Sequence, residues 1–130
     1  MQDIEKFLLR DSDHNNNIVG LITYLHKENR LIIEPIIPKS KKMLYNYPLD
    51  LQLCIQRGYK QVPDEWVKEW LDERVVPPER PGVLEALQKH GIKEYNQIEI
   101  MKIVKGKNSM DGTYWEKVSN EITIEKITLE

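Results

Sequence analysis

A single cysteine in 130 residues, Cys54, excludes an internal disulfide and a cysteine-rich zinc site. With no evident base beside it in sequence, it reads as a small buried hydrophobe in a reducing compartment rather than a nucleophile. No run approaches the ~18 apolar residues of a membrane span, and the opening MQDIEKFLLR holds no apolar signal-like region, so the chain is expected in the cytoplasm. Neither charge sign dominates: 19 Lys and Arg against 21 Asp and Glu leave −2, too little to draw the whole chain onto nucleic acid or lipid. A local basic patch is still compatible with that balance. The chain also lacks G-x-S-x-G, a Gly-rich phosphate loop ending in lysine, and the kinase H-R-D and D-F-G pair. No enzyme and no cofactor are expected.

Metal sites fare no better. DSDHNNN, residues 11–17, starts like a calcium loop with Asp11, Asp13 and Asn15. It then puts Asn16 where the turn needs glycine and Ile22 where the bidentate glutamate belongs. A solvated hairpin turn is the simpler reading. His14, His26 and His90 share no metal-ligand spacing, and His90 suits a helix C-terminus.

What is present is patterned. The length suits one domain over 1–130, and 40% apolar with 31% charged residues argues for a packed chain. Ile4, Phe7 and Leu9, then IVGLITYLH, then LIIEPIIP read as a three-strand meander, with Pro35 marking an edge or a strand end. Leu49, Leu51, Leu53 and Ile55 alternate as a strand would, but a short helix over 49–57, closed by Gly58, is slightly favoured. Pro63, Asp64 and Glu65 open a helix whose apolar stripe is Trp66, Val67, Trp70 and Leu71, and Pro77 and Pro78 force it to stop by Val75 or Val76. A second helix from about Pro81 buries Val83, Leu84 and Leu87 and ends at Gly91. A third carries Asn96 as N-cap, Glu99 as in a capping box, an apolar face of Ile100, Ile103 and Val104, and Gly106 as its stop. KGKNSMDGTYWEKV follows as a turn and a short extended piece, and EITIEKITLE as a strand rejoining the sheet. The expected fold is α+β: a small antiparallel sheet, N-terminal strands plus a C-terminal strand, packed against three to four helices.

Three groups of residues remain as functional candidates. Arg74 and Arg80 flank the proline corner RVVPPERPG, where a guanidinium can brace irregular backbone against a carboxylate, and Asp111 is the acid expected to face one of them. Trp70 and Trp115 belong to the core first and to a partner-binding face second. The helix pair 82–105 has the outline of a helix-turn-helix, with Lys102, Lys105 and Lys107 as its basic residues. Its polar side carries Gln97, Glu99 and Lys102, so little positive charge stands at the first turn, where a recognition helix meets bases.

The run W-L-x-x-R-V-V-P-P-x-R from Trp70 to Arg80 precedes a helix ending L-x-x-x-G at Leu87 and Gly91. Y-N-x-x-E-I at Tyr95 to Ile100 follows, then Gly106, Asp111 and Tyr114-Trp115. This order resembles a segment in small Firmicutes and phage-associated proteins, and related segments are similar to the N-terminal accessory region of HipA-like kinases from toxin-antitoxin loci. The resemblance spans Trp70 to Trp115. It implies a non-catalytic protein-interaction or regulatory module: an accessory partner of such a kinase, or a mobile-element-borne inhibitor of a host defence enzyme. The ATP-binding and catalytic motifs of those kinases do not occur in this sequence, so the resemblance carries no kinase activity. A DNA-binding, antitoxin-like repressor built on the helix pair is the alternative.

Overall fold

A short polar turn, Ser12–Asn16, sets the architecture by folding the first strand back on the second. Asn15 and Asn16 both take left-handed backbone (φ 56° each), which asparagine tolerates better than other side-chain-bearing residues. The structure is a computed structural model describing residues 3–128. Strands β1 (Ile4–Asp11), β2 (Asn17–Leu25), β3 (Arg30–Pro35) and β4 (Thr113–Val118) form one antiparallel sheet in the order β3-β2-β1-β4. Val19 is an extra residue in β2: Leu9 pairs with Gly20 but Arg10 with Ile18.

Helices α1 (Lys41–Tyr45), α2 (Leu49–Gln56), α3 (Asp64–Arg74), α4 (Val83–Lys89) and α5 (Gln97–Ile103) lie between β3 and β4 in sequence, and α6 (Ile124–Thr128) follows β4. The chain therefore has an α+β fold. Alternation along the strands puts Phe7, Leu9, Ile22 and Ile33 into one core with Cys54 of α2, Trp70 of α3, Leu87 of α4 and Met101 of α5. The opposite face of β1 meets the C-terminal segment, where Lys6 Nζ donates to the Ile122 carbonyl at 2.7 Å.

Two expectations need correction. The closing strand is β4, not the last ten residues, within which Ile124–Thr128 form α6; Leu129 and Glu130 lie outside the described residues. Thr123 Oγ1 accepts the Lys126 N–H at 3.3 Å and so starts a helix there. Among the described residues the α-helices number six rather than three to four, because α1 and α6 are five residues each and too short to show an apolar period. Within the helices, Leu84, Ile103 and Val104 are exposed, and Ile98 and Met101 are buried in place of the latter two. Glu99 does not complete a capping box; its carboxylate accepts from Lys102 Nζ, while the Asn96 side chain caps α5 alone through the Ile98 and Glu99 N–H groups.

The ladder's parity decides what each sheet edge offers. In an antiparallel strand a residue points its N–H and C=O to the same side. Val62 N–H donates to the Ile33 carbonyl at 2.8 Å, so Ile33 and its same-parity neighbour Leu31 face outward from β3. Pro35 shares that parity, and its missing N–H costs the ladder nothing there. On the other edge Trp115 N–H donates to the Lys105 carbonyl at 2.7 Å, so Thr113, Trp115 and Lys117 face outward from β4.

Candidate interaction site

The proline corner splits its two arginines. Arg74 ends α3 with its side chain 5% exposed, Nη2 on Asp111 Oδ2 at 2.7 Å and Nη1 on the Trp70 carbonyl at 3.3 Å. Its guanidinium carbon stands 4.4 Å from the Trp70 ring centroid, and Trp70 stacks on Trp115 with 6.3 Å between centroids. Burial would raise the Asp111 carboxyl. The Thr113 hydroxyl and N–H, with Arg74 beside them, outweigh it and hold the carboxyl below its ordinary value. Arg74, Asp111, Trp70 and Trp115 thus form an internal brace between α3 and β4, and both tryptophans are buried away from any partner. Arg80 stands apart, exposed, with no side-chain hydrogen bond or ion pair among the described residues.

A second ionic cluster was not foreseen. Glu5 is buried on β1 and accepts from His26 Nε2 at 2.6 Å, Lys102 Nζ at 2.6 Å and Lys117 Nζ at 2.9 Å. Burial works against its charge, but hydrogen bonds from Lys102, Lys117 and His26 lower its pKa to about 2. A carboxylate so saturated with donors is a poor proton acceptor. Its role is to tie β1 to α5 and β4.

That tie bears on the helix-turn-helix candidates. Lys102 is committed to Glu5 and Glu99. At the first turn of α5, Asn96 Nδ2 donates to Asn29 Oδ1 at 3.0 Å and Gln97 Nε2 to Asp72 Oδ1 at 2.7 Å. The amide side chains that a recognition helix would offer to bases are used internally. Lys105 and Lys107 are exposed, and with Lys102 and Lys117 they line a cleft of about 410 Å³ beside β4.

A groove of about 830 Å³ runs along the open edge of β3. Its floor is Leu31, Val67, Leu71 and Val75, and its walls are the proline corner at Pro77 and Pro78 and the start of α5 at Tyr95 to Ile98. Leu31 N–H and C=O face this edge and have no hydrogen-bond partner among the described residues. Four of the rim charges are paired, Arg30 Nε lying 3.3 Å from Asp64 and Lys68 Nζ 3.1 Å from Asp72, while Glu28 forms no ion pair among the described residues. Tyr95 Oη donates to the Val76 carbonyl at 2.6 Å, fastening the corner to the start of α5.

No histidine or cysteine lines the groove, and Cys54 is fully buried, with burial pushing its thiol pKa up. The described residues include no cluster of His, Cys, Asp or Glu that could hold a metal ion, and none of their helices is long and apolar enough to cross a membrane. No protein-family model, curated protein or solved structure matches the chain.

Both the groove and the Glu5 cluster escaped the sequence reading, since each joins segments far apart in the chain. Pro35 was the one local signal of an open edge.

Proposed function

We propose that the chain is a non-catalytic protein-interaction module that takes an extended segment of a partner protein in the groove beside β3. The observation that carries this reading is the unpaired Leu31 N–H and C=O on the floor of a groove whose base is apolar. A strand laid there would gain two backbone hydrogen bonds, each contributing about 1 kcal/mol net, and would set alternate side chains against Val67, Leu71 and Val75. With four rim charges paired and Glu28 left over, the rim suits a segment that is neutral or carries a single positive charge. The resemblance of Trp70 to Trp115 points to a HipA-like kinase as that partner in the accessory role, and to a host defence enzyme if the module is a mobile-element inhibitor. Arg80, exposed on the same corner, is free to meet a carboxylate of either.

The test uses peptides selected from a random display library and follows backbone amides by NMR. The Leu31 amide should exchange quickly in the free protein despite its strand position, and slowly once a selected peptide is bound. Pro78→Arg, which adds bulk at the exposed wall, should weaken that binding by about tenfold or more. Peptides that bind without protecting Leu31, or that bind the Pro78→Arg protein equally well, would discard the groove as the site.

A further inference from the structure

We propose a second binding site, for an acidic peptide segment, in the lysine-lined cleft where the outer edge of β4 emerges from under the turn that follows α5. It is separate from the β3 groove and does not depend on that reading. The turn covers the edge only as far as Trp115, whose N–H is taken by the Lys105 carbonyl. Two residues on, Lys117 has the same outward parity, and its N–H and C=O have no hydrogen-bond partner among the described residues. The cleft there is lined by Lys102, Lys105, Lys107 and Lys117 over Phe7 and Trp115, and its one acid, Glu116, is paired with Arg10 at 2.9 Å.

The division of labour among the lysines names the ligand. Lys102 and Lys117 share Glu5, which fixes their side chains. Lys105 and Lys107 form no ion pair among the described residues, so their charge faces the cleft uncompensated. A strand edge with one free N–H and C=O pair matches a peptide backbone, and two unspent cations match one or two carboxylates of that peptide.

A single-stranded nucleic acid fits less well. It brings a phosphate with every nucleotide where two lysines are free, and it asks for exposed rings on which bases stack. Trp115 is 3% exposed, and Tyr114 Oη is held by Asn16 at 3.0 Å.

The experiment titrates the full chain, followed by amide NMR at low ionic strength, with three probes: a glutamate-rich decapeptide, a lysine-rich decapeptide and an oligothymidylate of similar length. The glutamate-rich peptide is expected to give saturable shifts at Lys105, Lys107 and Lys117 and to slow exchange of the Lys117 amide. The lysine-rich peptide should give none. The double variant Lys105→Glu/Lys107→Glu, altered only at exposed positions and checked for an unchanged melting curve, should weaken binding about tenfold or more. Pro78→Arg should leave it unchanged, which separates this site from the groove. The proposal falls if the glutamate-rich peptide gives no saturable shift, if the double variant binds it as before, or if the Lys117 amide stays unprotected. Tighter binding of the oligothymidylate at the same amides would replace it with a nucleic-acid site.

Discussion

The two edges of the sheet begin with the same liability and are treated in opposite ways. Each presents a row of outward backbone groups that invites another strand. On β4 the row is met by dedicated partners as far as Trp115, and only Lys117 beyond it is open. Thr113 N–H goes to Asp111, the Thr113 carbonyl accepts from Asn108, and Trp115 N–H goes to Lys105, with Arg74 holding Asp111 in place. On β3 only Ile33 is met, by Val62, and Leu31 opens into a groove. The closed edge has buried charge, stacked tryptophans and a turn in which Lys105 takes left-handed backbone (φ 57°), whereas the open edge has only surface ion pairs beside it. Stability should therefore be concentrated along β4 up to Trp115, and freedom to bind at the β3 edge and at the end of β4 beyond that point.

The largest expected effect comes from Gly106→Ala. Gly106 has φ 74°, and a Cβ there would run into the Trp115 ring and lie 2.7 Å from its backbone N. Strain and overpacking together should cost about 4 kcal/mol in urea unfolding, with loss of the Trp115 amide's exchange protection. Arg74→Ala comes next. It unpairs Asp111 and strips the cation from Trp70, for about 3 kcal/mol. If either variant costs less than about 1 kcal/mol, the contrast between the edges fails.

Acid should act on the same side. The folded pKa of Glu5 is lowered to about 2 from an ordinary 4.5, and that of Asp111 is lowered too. Their stabilisation is fully present above the unfolded values and is lost as pH falls from about 4.5 toward 2. Hydrogen exchange across that window should rise first at β4 and the turn after α5, with β2 and β3 following. Glu5→Gln should flatten this pH dependence while lowering stability at neutral pH.

The smallest effects belong to the open edge and its corner. Lys68→Ala and Arg30→Ala remove exposed pairs and should each change stability by no more than about 0.5 kcal/mol. Arg80→Ala should leave melting unchanged and alter only partner binding. A large loss on melting for Arg80→Ala would mean that the corner's two arginines are alike after all.

Much of the fold was legible where punctuation is local. Asn15 and Asn16 mark a hairpin, Pro63 and Gly58 bound helices, Asn96 caps α5, and Pro35 ends an edge strand. Misreadings fell where elements are short. α5 is seven residues long, so Ile103 and Val104 sit at its frayed end, outside the face that Ile98 and Met101 bury. EITIEKITLE alternates as a strand would, and only the Thr123 cap and docking against β1 decide for a helix. The candidate sites were far less legible. Glu5 and Lys102 meet across 97 residues, and no spacing rule announces such a pair. Arg74 and Arg80 are chemically equal in sequence; what separates them is the end of α3, which turns one toward Trp70 and leaves the other on a solvated turn.

Cys54 gives the protein a built-in clock. Its sulfur lies at the centre of the core, 0% exposed, with the thiolate disfavoured by burial. A thiol reagent must wait for the core to open, so the labelling rate of the unmodified chain reports that opening without any engineered probe. A ligand that binds only the folded protein, at either sheet edge, should slow the clock in proportion to its occupancy.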